Sequence, residues 1–157
     1  LGDVKIGRTM PNTPALVGEG ITGVCKNNLV TEDEFAYVLK LLSSFGLAEA
    51  IPESLMDAVV SVSGSSPAYV FLFIEAMADA AVADGMPRAQ AYKFAAQAVL
   101  GSAKMVLETG KHPAELKDMV CSPAGTTIEA VRVLEEKGFR GAVMDAMKAC
   151  TAKAKGI

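Results

Sequence analysis

Two helical stretches, at residues 67–84 and 87–109, are apolar around most of their circumference, and this pattern constrains the fold most. Residues 69–73 and 80–83 are consecutive apolar residues, which leaves the first stretch without a polar stripe. Helices that are hydrophobic on nearly every side are buried on nearly every side. The helices either bury each other within one chain or require a second subunit. We favour a homodimer, or a higher homo-oligomer built on it, with a large apolar interface.

Proline and glycine punctuate the chain from Glu53 onward, and the segments between them have helical periodicity. Many of the 25 alanines lie here, and alanine combines the highest helix propensity with close helix packing. We expect helices to begin at five places: Ser66 as N-cap before Pro67, Pro87, Pro113, Thr126 with Glu129 as a capping box, and Phe139.

The first fifty residues have a different pattern. Short β-type stretches at residues 4–6, 21–24 and 47–51 surround a helix with Thr31 and Glu34 as a capping box and Gly46 at its end. A β–β–α–β segment cannot cover both faces of a sheet, so it belongs at one side of a larger α/β sheet. We predict a mainly α chain, in which a small α/β remnant at residues 1–52 precedes an all-helical domain at residues 53–157.

Charge and hydropathy argue against two classes of partner. The 15 basic and 18 acidic residues give a net charge of −3 with both signs scattered, which predicts no nucleic-acid partner. The longest apolar run, residues 68–74, is shorter than the roughly 20 residues of a membrane span, which predicts no membrane partner. The chain starts at Leu1 with neither an initiator Met nor a signal peptide, and we expect it to be cut from a longer protein.

The cysteines predict neither disulfides nor a metal site. They are odd in number and far apart, and the one histidine, His112, is interpreted as a helix-cap or surface residue. Metal sites cluster their ligands and secreted scaffolds pair their cysteines. We therefore interpret Cys25, Cys121 and Cys150 as free thiols of a cytoplasmic protein.

Two strings imitate functional motifs. Residues 18–23 match the G-x-G-x-x-G dinucleotide fingerprint, but no helix is predicted to follow them, so no helix N-terminus would meet a phosphate. The serine-rich string at residues 63–67 has no neighbouring base. It is interpreted as a serine-capped helix start and not as a nucleophile.

The segment Cys121–Ile128 is the strongest candidate site. Small residues that lead into a helix leave backbone N–H groups free at the positive end of the helix dipole, which suits a small anion such as a carboxylate. Ser122 and Thr127 add hydroxyl groups. Two interpretations stay open at this point, because Thr126 as an N-cap would give the same segment a structural role.

Four motifs in register resemble pyrroline-5-carboxylate reductase: residues 10–15 (MPNTPA), 57–69 (with SGSSPAY), 112–118 (with HP and LKD) and 122–128 (SPAGTTI). The resemblance runs from about Lys5 to the C-terminus. It implies that residues 1–52 are the end of a Rossmann-type dinucleotide-binding domain and that residues 53–157 form a helical dimerisation and substrate-binding domain. The implied reaction is the reduction of 1-pyrroline-5-carboxylate to L-proline by NADPH or NADH, the last step of proline biosynthesis.

The resemblance also implies roles for individual residues. Asn12 and Thr13 would lie at the cofactor near its nicotinamide, and Glu53 would belong to the substrate site. The substrate loop would contribute Ser122, Gly125, Thr126 and Thr127. Its backbone amides and Ser122 would hold the substrate carboxylate, while the hydroxyl of Thr127, as the catalytic residue, would reach the ring nitrogen.

The chain also departs from the family it resembles. Ser66 and Ala124 stand where that family has glycine, and the N-terminal strand with its glycine-rich turn is absent from these residues. We therefore expect no tight cofactor binding and no turnover by the 157 residues alone. Two alternatives stay open: the dimerisation domain of a hydroxyacid-type dehydrogenase, with Lys104 as its helix lysine, and a non-catalytic helical association module.

Overall fold

The computed structural model describes residues 2–156, and these form a small sheet followed by helices. The strands are β1 (Gly7–Met10), β2 (Gly20–Lys26) and β3 (Gly46–Ala50). The α-helices are α1 (Glu32–Leu42), α2 (Met56–Val59), α3 (Ser66–Ala83), α4 (Arg88–Thr109), α5 (Pro113–Val120), α6 (Thr126–Glu136) and α7 (Phe139–Ala154). The prediction of a mainly α chain with a β–β–α–β unit ahead of the helices is confirmed.

The sheet has the order β1-β2-β3, with β1 antiparallel to β2 and β2 parallel to β3. Gly20 lies opposite Gly46 in the parallel pair, and a Cβ at Gly46 would overlap the Gly20 carbonyl. Gly46 also has a φ of 147°, so only glycine fits this close approach. The first strand lies at residues 7–10, and the prediction of residues 4–6 is wrong. Because Arg8 and Thr9 on β1 are exposed, apolar alternation does not mark this strand.

The capping box of α1 is confirmed. The Thr31 hydroxyl accepts the Glu34 N–H at 3.3 Å, and the Glu34 carboxylate accepts the Thr31 N–H at 3.0 Å. The Lys5 ammonium pairs with the same carboxylate at 2.5 Å. The hydrogen bond from Lys5, with that from the Thr31 N–H, lowers the pKa of Glu34 to about 2. The helix ends at Leu42, before Gly46, because a 3-10 turn at Ser43–Phe45 leads into β3.

Residues 53–83 form one helical segment, without the break predicted at Ser66. A 3-10 turn (Glu53–Leu55) and α2 lead through a π-helical turn (Val60–Gly64) into α3. The Ser65 N–H donates to the Val60 carbonyl at 2.8 Å, the spacing of a π turn. The prediction of Ser66 as N-cap is therefore wrong. Because the helix is already formed there, the Ser66 hydroxyl donates backward to the Val62 carbonyl at 2.7 Å.

This helical segment is much longer than the apolar run at residues 68–74, from whose length no membrane partner was predicted. It has 31 residues, and only 11% of its most apolar 18-residue window is buried. By length and composition alone it is long and apolar enough to cross a membrane. The core helix of a soluble protein passes the same test when its apolar side chains are covered by other protein.

The chain divides into two compact units. The first contains the described residues up to Tyr69 together with those from Asp145 onward, and the second contains Val70–Met144. In the first unit, Val24 and Met56 are fully buried.

In the second unit, Ala78, Ala91 and Ala95 are buried, which reflects the close helix packing expected of alanine. The Phe73 and Phe139 rings of that unit lie 6.1 Å apart.

The predicted starts of the remaining helices are largely confirmed. Pro87 immediately precedes α4, Pro113 begins α5, and Phe139 begins α7. His112 caps α5, because its Nδ1 accepts the Ala114 N–H at 3.1 Å. The three cysteines are free thiols, as predicted.

Candidate functional site

A tight turn joins α5 to α6 in the second unit. The Gly125 N–H donates to the Ser122 carbonyl at 3.1 Å, which closes a four-residue turn. Pro123 is its second residue and Ala124, with a φ of 56°, its third. Proline followed by a residue of positive φ is the pattern of a type II turn. The candidate loop is therefore a defined turn that places Ser122 beside the start of α6.

Gly125 allows the close approach of Ser122 to this helix start. Its backbone is extended, with φ −78° and ψ 169°, and it is the N-cap residue of α6. A Cβ at Gly125 would overlap the Ser122 hydroxyl oxygen. Because Gly125 has no side chain, the Ser122 hydroxyl can lie directly against the N-cap position of α6.

Thr126 does not cap α6, and the predicted capping box with Glu129 is wrong. Thr126 is already helical, and among the described residues no side chain caps this N-terminus. The Glu129 carboxylate instead accepts hydrogen bonds from Arg132, including those at 3.0 Å from Nε and 2.7 Å from Nη2. This pairing lowers the pKa of Glu129. The alternative structural role of Thr126 is thereby removed, and the first amides of α6 meet the requirement for an anion site.

Thr127 lies in the first turn of α6 and is half-buried, whereas Ser122 and Thr126 are exposed. Thr127 thus carries its hydroxyl group on the first turn of α6, at the positive end of the helix dipole. A ligand with one anionic group and one polar atom nearby fits this combination of amides and hydroxyls. The structure thus brings Ser122, Gly125, Thr126 and Thr127 together at one helix start.

Asn12 holds three elements of the first unit together. Its Oδ1 accepts the Ile21 N–H at 2.9 Å, and its Nδ2 donates to the Ser63 carbonyl at 3.2 Å. Ile21 belongs to β2, and Ser63 belongs to the π turn. Both ends of the half-buried amide are therefore engaged with backbone groups. Sequence analysis missed this role, because no local spacing links Asn12 to Ser63.

Thr13 begins a 3-10 helix (Thr13–Val17) directly after Asn12, and it is exposed. Gly18 ends that turn in the left-handed conformation, and residues 20–23 continue into β2. The G-x-G-x-x-G string therefore leads into a strand. This confirms that no helix follows it to bind a dinucleotide phosphate in the usual manner.

Glu53 is exposed and forms an ion pair with Arg8, with Oε1 and Nη1 3.3 Å apart. Arg8 lies on β1, 45 residues earlier, so sequence spacing could not indicate the pair. Glu53 shares the first unit with Asn12 and Thr13, whereas the loop at residues 122–127 belongs to the second unit. The binding and catalytic roles of these seven residues stay predictions.

Ser65, Tyr69 and Cys150 form a polar cluster in the first unit. The Cys150 Sγ lies 3.3 Å from the Ser65 Oγ. Hydrogen bonding with Ser65, and then with Tyr69, lowers the pKa of the Cys150 thiol, and the interaction with Cys150 raises the pKa of Tyr69. The Ser63 hydroxyl, in contrast, donates to the Val59 carbonyl at 3.0 Å. The serine string thus makes structural hydrogen bonds and no nucleophile–base pair.

Comparison with protein families matches residues 53–157 to the model described as pyrroline-5-carboxylate reductase dimerisation. The pyrroline-5-carboxylate reductase of Escherichia coli (strain K12) is 70% identical over 155 residues, which are 99% of this chain and 58% of that protein. The Synechocystis enzyme of the same name is 52% identical over 147 residues, which are 94% of this chain and 55% of that protein. The chain thus spans somewhat more than half the length of these relatives.

Solved structures of pyrroline-5-carboxylate reductases are also similar to this chain. A pyrroline-5-carboxylate reductase from Coxiella burnetii has a TM-score of 0.95 and 37% identity, and the match covers 99% of this chain and 58% of that one. The Plasmodium falciparum pyrroline carboxylate reductase, solved with NADP bound, has a TM-score of 0.92 and 38% identity over 99% of this chain and 62% of that one.

Proposed function

Because this chain belongs to the pyrroline-5-carboxylate reductase family, we propose that it is part of an enzyme that reduces 1-pyrroline-5-carboxylate to L-proline. The observation that carries the proposal is the family match over residues 53–157, which contains the turn and helix start described above. The proposed place of the reaction is the last step of proline biosynthesis, in the cytoplasm, and the free thiols support that compartment.

The turn before α6 is the proposed site of the substrate carboxylate. The amides of Thr126 and Thr127 and the Ser122 hydroxyl would donate hydrogen bonds to its oxygens, while Gly125, whose own N–H closes the turn, would leave room for the Ser122 hydroxyl. The absence of a side-chain cap among the described residues and the position of Ser122 over Gly125 support this role. Binding one end of a flat ring in this way orients the rest of the ring.

Thr127 is the proposed catalytic residue. In the reduction of the protonated cyclic imine, a hydride adds to the carbon of the C=N bond and the π electrons of that bond become the lone pair of the amine nitrogen, so no protein nucleophile is required. The Thr127 hydroxyl would hydrogen-bond to that ring nitrogen and stabilise the amine as it forms. Its place in the first turn of α6, beside the carboxylate site, supports this assignment.

Asn12 and Thr13 are the proposed contacts to the nicotinamide end of the cofactor, and Glu53 is a further proposed substrate-site residue. The reductant is NADPH or NADH, which supplies the hydride when bound. Thr13 fits such a contact, because it is exposed on the turn after β1. Asn12 fits as the residue that fixes this turn, since both ends of its amide bind the backbone. The solved relative with NADP bound supports a nicotinamide cofactor.

We propose a homodimer, or a higher oligomer built on it, assembled through residues 53–157 as one domain, with residues 1–52 as the end of the dinucleotide-binding domain. Large apolar side chains on the long helices are exposed in the single chain: Phe71 (62%), Leu72 (67%), Phe94 (65%) and Leu107 (72%). Large exposed apolar areas are typical of an interaction surface. The family's description as a dimerisation domain supports a second copy as the partner.

The test is an assay of the encoded protein, meaning these 157 residues with whatever coding sequence flanks them. We expect it to oxidise NADPH or NADH when 1-pyrroline-5-carboxylate is added, and the 157-residue chain to be inactive. Reduction of NADP+ or NAD+ with a 3-hydroxy acid, or oxidation of NADPH or NADH with its keto form, without activity on the imine would favour a hydroxyacid-type dehydrogenase. A stable dimer without any activity would favour an association module.

A further inference from the structure

Ala124 has an unusual backbone for its residue type. Its φ is 56°, and among residues 2–156 the other residues with positive φ are glycines. For a residue with a Cβ, the left-handed region is several-fold less favourable than the ordinary regions. Ala124 is exposed, so packing does not compensate for this conformation. Outliers of this kind concentrate where function needs a defined backbone.

The left-handed backbone of Ala124 determines the geometry of the candidate site. The turn closes through the hydrogen bond from the Gly125 N–H to the Ser122 carbonyl, and in a type II turn the third residue has a positive φ. If Ala124 moved to a negative φ, the type II geometry would be lost, and the turn would either open or change to type I with the peptide group between Pro123 and Ala124 reversed. The Ser122 hydroxyl would then leave its place over Gly125, and the direction of the first amides of α6 would change.

We propose that Ala124 is a positioning residue, which sets the affinity of the loop for the substrate carboxylate through the population of its left-handed conformation. This inference rests on the proposed function, because it takes the loop as the carboxylate site. A site that is competent only part of the time binds its ligand with an affinity reduced by that fraction. A residue at 124 that favours positive φ therefore tightens binding without touching the ligand.

Three substitutions separate backbone preference from side-chain size. Ala124→Gly and Ala124→Asn favour a positive φ, whereas Ala124→Val, close in size to Asn, strongly disfavours it. In the encoded protein we expect Gly and Asn to lower the KM for 1-pyrroline-5-carboxylate about two- to fivefold. We expect Val to raise it about five- to tenfold, and kcat to change less than twofold in all three.

A second measurement follows the turn itself. Hydrogen exchange of the Gly125 amide reports the bond to the Ser122 carbonyl, and we expect its protection to rise with Gly and Asn and to fall with Val. L-Proline, used as a carboxylate probe, should show the same order in its Kd. A KM order that follows side-chain size, or a KM that stays constant while protection changes, would overturn the inference. An unsubstituted protein inactive with the imine would overturn the proposed function, and the inference with it.

Discussion

The side-chain amide of Asn12 donates a hydrogen bond to the Ser63 carbonyl at 3.2 Å, across 51 residues of sequence. The carbonyl belongs to the π turn at Val60–Gly64, where the α-helical hydrogen-bond pattern is interrupted. The same amide accepts the Ile21 N–H, so the strand β2 and the π turn share one anchor. The end of β1 is thereby connected to the beginning of the long helical segment.

Loss of this anchor should destabilise the chain. Asn12→Asp replaces the donor to Ser63 by an acceptor, so we expect the free energy of unfolding to fall by about 1–3 kcal/mol, measured by urea denaturation. The control is Asn27→Asp, which removes the exposed hydrogen bond from the Asn27 amide to the Val4 carbonyl at 2.8 Å and should cost less than about 1 kcal/mol. Equal losses for both variants would contradict the role of Asn12.

Thr127→Ala in the encoded protein should lower kcat/KM by about ten- to a hundredfold. That range corresponds to one lost polar contact of roughly 1.5–3 kcal/mol. Thr127→Ser keeps the hydroxyl and should retain most of the activity. If Ala and Ser variants have the same kinetics as the unsubstituted protein, Thr127 has no part in the reaction.

The ion pair between Glu34 and Lys5 makes stability depend on pH. The pKa of Glu34 is lowered to about 2 in the folded chain, so its contribution is complete above the unfolded pKa of 4.5 and disappears as the pH falls towards 2. We expect Glu34→Gln to lower the Tm at pH 7 and to match the unsubstituted chain near pH 2. Lys5→Met, which removes the largest cause of the shift, should weaken the pH dependence. A constant difference in Tm across this range would contradict the assignment.

Two glycine substitutions should have opposite effects. Gly46→Ala introduces a Cβ into the Gly20 carbonyl at a φ of 147°, so we expect a loss of about 1–3 kcal/mol or more in the free energy of unfolding. Gly141 lies exposed in α7 with open space around it, and Gly141→Ala should add about 0.5–1 kcal/mol. Thermal unfolding of the two variants measures both changes in stability. A change in the same direction for both would contradict the different roles of Gly46 and Gly141.

Charge placed on the exposed apolar side chains should dissociate the proposed oligomer. Phe94→Glu and Leu107→Glu would bury a carboxylate at the interface, so we expect the dissociation constant to rise roughly a hundredfold or more. Light scattering at micromolar concentration measures the mass. Leu41→Glu, at a 57% exposed position in α1, is the matched control and should leave the mass unchanged. A monomeric unsubstituted protein would contradict the dimer at once.

Features with a local cause could be predicted from the sequence. The Thr31–Glu34 capping box and the starts of α4, α5 and α7 depend on residues within one or two turns, and they lie where expected. The turn before α6 was also recognisable, because small residues and proline at 122–125 specify it. These signals were sufficient to predict the fold class.

Features with a distant cause could not be predicted. The Ser66 hydroxyl has the chemistry of an N-cap, but Asn12 binds the preceding π turn, and the helix continues through Ser66. The failure at Thr126 is different, because its cause is local. Thr126 and Glu129 have the spacing of a capping box, yet Arg132, three residues after Glu129, binds its carboxylate instead, so spacing alone does not decide between two nearby partners.

The π turn contains one residue more than the α-helical turn it replaces, and that residue changes the direction in which all later side chains of the segment point around the helix axis. Each residue of an α-helix advances about 100° around the axis. A one-residue deletion within Val60–Gly64 would restore an uninterrupted α-helix and rotate Ser65 and Tyr69 by about that angle. Both side chains would then leave Cys150, which they now contact. The extra residue therefore sets the rotation of the helix after the π turn, so that Ser65 and Tyr69 face Cys150 on α7.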